Sequence, residues 1–258
     1  MISIVMAYYN RKQLFIETLK SISKSTYKDI EVIAVDDASE EKERIEDLMT
    51  KFSFLKVIRL EKENKWYNNS CIPNNMGIAK ASGDIIMIQN PECYHVHDVL
   101  NHVMETVTDF NYVSMSAYSI DEEHTKIFMS TKNKKAFFDT FPQQHVKEYM
   151  GWYNHSIYNK TYFHFCVALT RKNIKNLGGF DERFAYGIGY EDDDLINRVK
   201  RLGLEMKISD TVSVIHQWHP KVYDIDIPEH YVIWDRNAVL YPQVKDETII
   251  KVKNSYYE

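Results

Sequence analysis

The amino-acid sequence predicts an α/β fold, an open, mostly parallel sheet flanked by helices with a further subregion beside it. Three observations predict it. Short apolar runs alternate with helical patterns through the first 118 residues; runs such as Glu31-Val32-Ile33-Ala34-Val35 are apolar without strict alternation; and polar residues gather directly after the runs. Continuous apolar runs belong to strands covered by helices on both faces, and the intervening helical patterns supply the crossovers that parallel strands need.

Residues 2–7 predict the first strand and 14–22 the first helix. A second strand over 30–35 is followed by a helix over 45–52, and a third strand covers 55–60. Residues 85–88 predict a fourth strand, 96–107 a helix and 112–117 a fifth strand. From 119 to 163 the periodicity fades and rings collect: Phe137, Phe138, Phe141, His145, Tyr149, Trp152, Tyr153, His155, Tyr158 and Tyr162. So long a stretch without pattern is expected to be functional or a subdomain of its own. Pattern returns as a strand over 165–170, a helix over 191–202 and a strand over 211–216, while 231–240 reads as weakly helical.

The composition removes several function classes. At 258 residues, 44% hydrophobic and 27% charged, the chain has material for one large α/β domain or two small ones and does not fit the disordered, collagenous or coiled-coil classes. No uncharged apolar run approaches the roughly 20 residues that span a bilayer, and the start MISIVMAYYNRK lacks the charge order of a signal peptide, so a soluble, cytoplasmic protein is expected. A net charge of −5, with basic residues scattered apart from Lys132, Lys134 and Lys135, offers no footprint for nucleic acid. Cys71, Cys93 and Cys166, without a CxxC spacing, argue against a disulfide framework and a thiolate zinc site.

Ligands of open α/β sheets bind outside the carboxyl ends of the strands. At those places stand Tyr8-Tyr9-Asn10-Arg11, Asp36-Asp37-Ala38-Ser39 and Gln89-Asn90-Pro91-Glu92, all expected to line one cleft. A carboxylate of the Asp36-Asp37 pair can accept hydrogen bonds from a nucleoside; the alternative is turn chemistry leading into Ser39 as a helix cap. Glu92 and His216 suit a borderline divalent ion such as Mn²⁺, His219 is an equally available ligand, and a metal-free site is the alternative.

Four of the 8 glycines, Gly178, Gly179, Gly187 and Gly189, fall in GGFDERFAYGIGYEDDDL, which reads as a tight loop setting carboxylates against a ligand or as an ordinary acidic helix entry. Helical spacing places Asp192 above Leu195, Ile196 and Val199 on the inward stripe, Asp193 above Asn197 and Lys200, and Asp194 beside Arg198 as a surface pair. Asp192 is therefore the candidate general base, with Glu191 beside it raising its proton affinity through like-charge repulsion. No Walker A loop exists, GxGxxG does not follow the first strand and no GxSxG elbow occurs, which argues against P-loop, dinucleotide and α/β-hydrolase chemistry.

In order along the chain, SIVMAYYNRKQLFIETLKSI, EVIAVDDAS, PNNMGIAKASGDIIMIQNPE and GGFDERFAYGIGYEDDDLINRVKRLG followed by VIHQWH resemble the GT-A glycosyltransferases, particularly the inverting, nucleotide-sugar-dependent family 2. The resemblance implies a GT-A, Rossmann-like domain over residues 1–220, with 1–118 holding the nucleotide sugar and 119–220 the acceptor and catalytic groups, and a C-terminal extension over 221–258 packed on it. It implies that Ala7, Tyr8, Asn10, Arg11, Asp36, Asp37, Asn75, Gly77, Gln89 and Asn90 surround a UDP-sugar, Asp36 touching the base. Asp192, with Glu191, would deprotonate the hydroxyl of a glycan or other acceptor lying near Trp152, Tyr153 and Gly189. Glu92 and His216 would hold a divalent cation, Mn²⁺ ahead of Mg²⁺; because the family's Asp-x-Asp is replaced here by Gln89-Asn90-Pro91-Glu92, a metal-independent site stays open. The product that the resemblance implies is an inverted hexoside or N-acetylhexosaminide. The alternatives are a retaining enzyme like the polypeptide N-acetylgalactosaminyltransferases, a non-catalytic carbohydrate-binding protein on the same scaffold, and a small second core in place of an aromatic acceptor platform.

Overall fold

Nine strands join one sheet among the residues described by the computed structural model, 1–140 and 150–255. The first half alternates as the apolar cadence predicts: β1 (Ile2–Tyr8), α1 (Lys12–Ser23), β2 (Ile30–Asp37), β3 (Leu55–Leu60), α2 (Cys71–Lys80), β4 (Ile85–Gln89), β5 (Cys93–His95), α3 (Val99–Thr106) and β6 (Asn111–Ser119). The second half adds α4 (Glu122–Ser130), α5 (Lys134–Thr140), β7 (Gly151–Asn154), β8 (Cys166–Thr170), α6 (Arg171–Leu177), α7 (Glu191–Arg201), β9 (Glu205–His216) and α8 (Pro228–Lys245).

Strand order is β3-β2-β1-β4-β8-β6-β9-β5, with β7 paired to β6. The ladder β3-β2-β1-β4 is parallel and in register, Ile2 opposite Ile30 and Ile85. Beyond β4 the sheet is mixed: β8 runs antiparallel to β4 and β6, and β9 runs parallel to β6 but antiparallel to β5. The chain steps outward from β1 to β3 and then returns to β4 on the other side of β1. That reversal opens a crevice at the tips of β1, β2 and β4.

Side-chain alternation along β1 builds the two core layers. Ile4 and Met6 face Phe15 and Leu19 of α1 and Val103 of α3, whereas Val5 faces Ile72 and Ile78 of α2 and Leu195 of α7. Asp98, Asp121 and Thr170 accept from the backbone N–H groups of Asn101, His124 and Asn173, capping α3, α4 and α6. Cys71, Cys93 and Cys166 are unbonded to one another and buried.

One sequence expectation is corrected, and two regions without a periodic signal gain structure. The helix expected over 45–52 is instead a single 3₁₀ turn, Glu46–Thr50, with another before it at Glu41–Glu43; Ile45, Leu48 and Phe52 are buried as their spacing demands. The patternless stretch after residue 119 contains α4, α5 and β7, whose rings Tyr118, Phe128, Phe138 and Trp152 pack with Tyr94 and Ile215 into a third cluster. Phe141, His145 and Tyr149 lie outside the described residues. The helix α2 carried no periodic signal, because Pro73, Asn74, Asn75 and Gly77 interrupt it, yet it docks its Gly77 face directly on β1 and β2.

Candidate active site

The tips of β1 and β2, the β3–α2 connection and the start of α7 enclose a cleft of about 230 Å³. Ala7, Tyr9 and Arg11 come from β1 and the turn after it, Asp37 from β2, Lys65 and Asn69 from the connection, and Gly189 and Glu191 from the glycine loop. Asp37 accepts hydrogen bonds from Lys65 Nζ at 2.7 Å and Tyr67 Oη at 2.6 Å, and Lys65 Nζ sits 5.2 Å from the Tyr9 ring centre. One end of the cleft thus carries a carboxylate, a cation and flat rings, the equipment for a planar heterocycle with polar edges.

At the other end Glu191 reaches the cleft, with Asp192 next to it on the tip of α7. Glu191 is buried and accepts from Asn69 Nδ2 at 2.7 Å; burial, with Asp192 beside it, raises its pKa. Asp192 keeps 24% of its side chain exposed, so one side remains open. Its Oδ1 accepts from the backbone N–H of His164 at 3.2 Å and lies against His164 Nδ1. Burial opposes a charge on that imidazole, but the attraction of Asp192 outweighs it and the His164 pKa is raised. The result is a carboxylate at a helix tip, oriented by an imidazole and a backbone amide and partly accessible.

Beyond β4 lies a third cluster. Glu92 is fully buried; its Oε2 accepts from Arg11 Nη1 at 2.6 Å, while Oε1 faces His216 Nε2 at 2.9 Å and His219 Nε2 at 3.3 Å. Burial alone would raise the Glu92 pKa, but Arg11 and the two histidines hold it well below the usual carboxylate range. One carboxylate oxygen and two imidazole nitrogens converge within 4.8 Å, a donor set that fits a borderline divalent ion and that already serves as an ion pair without one. Tyr153 and Phe165 flank it, their ring centres 5.1 and 5.9 Å from His216. The segment 163–165 carries His164 of the second cluster and Phe165 of the third, and the Asn90 backbone N–H fixes it by donating to the Phe165 carbonyl at 3.1 Å.

The remaining expectations divide. Asp36 is fully buried, its carboxylate turned to Arg59 at 3.0 Å and to the Ser39 amide at 2.9 Å; it supports the β2 turn, and Asp37 is the acid on the cleft. Asn75 does not reach the cleft either: its Nδ2 donates to the Phe180 carbonyl and Glu182, and its Oδ1 accepts from the Phe180 amide. Gly77 gives close approach, since a Cβ there would lie 2.5 Å from Val5 Cγ1. Gln89 is buried, bonded to His95 and the Cys93 carbonyl. Trp152 is 3% exposed and belongs to the third core cluster, not to an acceptor platform. Asp194 is no surface partner, because it and Arg198 form a buried pair. Tyr8 borders the cleft but sends its hydroxyl to the Glu43 carbonyl, and Asn10 ties its turn to residues 39 and 40. His164, Lys65 and Asn69 were not singled out in the sequence; the one available signal is the imidazole of His164 interrupting Phe163 and Phe165 just before a strand.

Residues 3–173 match the model of Glycosyl transferase family 2, and residues 144–220 match one described as the N-terminal domain of galactosyltransferase. An uncharacterized glycosyltransferase, YwdF, of Bacillus subtilis is 23% identical over 180 residues, 70% of this chain and 65% of that protein. The amylovoran biosynthesis glycosyltransferase AmsB of Erwinia amylovora is 24% identical over 211 residues, 79% of this chain and 65% of that protein. In both cases the chain spans just under two thirds of the relative's length. Among solved structures, TarS of S. aureus superposes with a TM-score of 0.60 at 15% identity, over 84% of this chain and 60% of that one. The mannosyltransferase PcManGT of Pyrobaculum calidifontis, in complex with GDP-Man and Mn²⁺, superposes with a TM-score of 0.57 at 16% identity, over 93% of this chain and 64% of that one.

Proposed function

Because the chain belongs to glycosyl transferase family 2 and has the fold of GT-A enzymes, we propose that it transfers a hexose or N-acetylhexosamine from a UDP-sugar to a hydroxyl of a glycan or other acceptor, with inversion. The observation that carries the reading is the meeting of the β1 and β2 tips with Glu191 at the tip of α7 around one cleft, with the partly exposed Asp192 as the next residue of that tip. A TarS structure in complex with UDP-GlcNAc supports the choice of nucleotide.

In this reading the base lies among Tyr9, Lys65 and Asp37, with the diphosphate running toward Arg11. The acceptor enters over Tyr153 and Gly189, and the exposed side of Asp192 takes its proton as the oxygen attacks the anomeric carbon from the face opposite the diphosphate. His164 fixes the orientation of Asp192. Glu92, His216 and His219 would hold a divalent cation, Mn²⁺ ahead of Mg²⁺, which when bound supplies positive charge for the leaving diphosphate. Residues 1–118 then form the donor half, 119–220 the acceptor and catalytic half, and 221–258 an extension.

Nucleotide release from UDP-hexoses, UDP-N-acetylhexosamines and GDP-mannose, with and without Mn²⁺, tests this reading. We expect UDP release from at least one donor, with Asp192→Asn lowering the rate by about 10²–10⁴-fold while UDP still binds. Product NMR should give a β-linkage from an α-linked donor. An α-linked product, or full activity of Asp192→Asn, rules the mechanism out.

A further inference from the structure

We propose that α8 is the positioning element of the catalytic helix tip and that Asn237 is its key residue; the inference rests on the reading of Glu191 and Asp192 as catalytic. The helix lies outside both spans that match family models, 3–173 and 144–220. It nevertheless makes the contacts that shape the loop entering α7.

Asn237 is fully buried beneath that loop. Its Nδ2 donates to the Phe184 carbonyl at 3.0 Å and to the Gly189 carbonyl at 2.9 Å, tying both ends of the turn to one side chain. Its Oδ1 has no hydrogen-bond partner among the described residues and lies over Gly187, where an added Cβ would stand only 2.1 Å from it. Gly187 has a φ of −107°, open to any residue, so glycine is required there by Asn237 and not by the backbone. An asparagine with a buried unsatisfied acceptor is a poor choice for packing alone, which points to the two donated bonds as its purpose.

The same helix holds the next residues. The Ile188 amide donates to the Ile233 carbonyl at 3.3 Å. Tyr190, the residue before Glu191, adopts a left-handed φ of +67° that a non-glycine residue keeps only where its surroundings enforce it. Here Tyr241 stacks on it at 5.2 Å and 27°, with Trp234 at 5.9 Å. Tyr241 also accepts from Asn197 Nδ2 at 2.9 Å, bonding α8 to the second turn of α7. Asn237 and Tyr241 therefore grip α7 on either side of the first turn, where Glu191 and Asp192 sit.

The test compares Asn237→Ala, Gly187→Ala and the double variant for turnover, UDP affinity and backbone hydrogen exchange. Asn237→Ala should lower kcat on the order of 10–100-fold through misplacement of the acids. UDP affinity, set mainly by β1, β2 and Lys65, should stay within about 3-fold. Exchange should quicken at residues 184–190 and remain unchanged in β1 and β4. Gly187→Ala should lower kcat about 10-fold in the parent but no more than about 2-fold beside Asn237→Ala, because the vacated space receives the new methyl. Strictly additive effects, unchanged exchange at 184–190, or a fall in kcat matched by equal losses of UDP affinity and melting temperature would overturn the proposal. If the parent turns over none of the donors, the transferase reading fails, while exchange in the three variants still decides whether α8 sets this loop.

Discussion

Replacing Asp194 isolates the force that seats α7. Asp194 and Arg198 are each 1% exposed; Arg198 Nε donates to Asp194 Oδ2 at 2.7 Å, and its Nη1 donates to the Leu177 and Gly179 carbonyls, both at 2.9 Å. In Asp194→Ala the guanidinium keeps the two carbonyls but loses its counter-ion, an uncompensated buried charge that costs about 3–5 kcal/mol. Set against a total stability of roughly 5–15 kcal/mol, that lowers Tm by some 6–20 °C, measurable by thermal or urea unfolding. Arg198→Met should cost a similar amount at pH 7.5 but behave differently in acid. Burial already raises the Asp194 pKa even with Arg198 present, and without the cation it rises further. The native state then holds a proton that the unfolded chain has lost, so the Arg198→Met variant gains stability as the pH falls through that raised value, by up to about 1.4 kcal/mol per unit. Asp194→Ala has no such carboxyl and should show no such gain. The double variant Asp194→Ala/Arg198→Met, apolar at both positions, should recover to within about 2 kcal/mol of the parent. A loss under about 1 kcal/mol for Asp194→Ala, or identical pH dependence of the two single variants, would refute the view that this pair is a buried charge lock.

Glu92→Gln removes the only anionic member of the third cluster and should abolish stimulation by Mn²⁺ in a nucleotide-release assay, leaving whatever rate the cation-free enzyme has. Gly77→Ala forces a methyl against Val5 Cγ1 and Val35 Cγ2 and should cost about 1–3 kcal/mol in chemical denaturation, with UDP affinity unchanged in the surviving folded protein. Glu31 is buried, which works against its charge, but Lys56, Ser3 and Ser82 hold its pKa down to about 2. Its folded value lies below the unfolded one, so its contribution of about 3 kcal/mol is present above pH 4.5 and is lost as the pH falls toward 2; Glu31→Gln should flatten the stability profile over that window.

Strands β1–β4, β6 and β8 were legible in the sequence because strands covered on both faces take apolar residues at successive positions, whereas the short β5 and β7 were not read. Residues 30–35 and 85–88 could hardly be read otherwise. Helices that dock through small or polar residues left no such trace. The helix α2 meets the sheet at Gly77 and is locked by Asn75 to the Phe180 backbone, so its docking face carries neither a methyl nor a periodic stripe. The ring-rich stretch failed for the opposite reason: Tyr118, Phe128, Phe138 and Trp152 meet from separate elements, and contacts of that kind have no period in the chain.

For the site, position was more legible than orientation. Two of the three polar segments after a strand border the cleft, through Tyr8, Tyr9 and Arg11 and through Asp37, since the topology of an open sheet brings strand ends together there; the third sets Glu92 against Arg11 outside it. Which member of each segment faces outward is decided by its neighbours. Asp36 turns inward because Arg59 and the Ser39 amide wait for it, which leaves Asp37 on the cleft with Lys65. The same logic separates the helix-tip acids: Asp194 is drawn in by Arg198, Glu191 by Asn69, and Asp192 alone meets a partner, His164, that leaves one side of it exposed. Helical spacing assigned Asp192 to the inward stripe, and the observed geometry gives it a different distinction, that of the acid held in place without being covered. A carboxylate buried as Asp194 is could not reach a substrate, and one wholly in solvent would have no fixed direction. A restrained carboxylate with a free edge is the arrangement that abstraction of a proton from a bound hydroxyl requires.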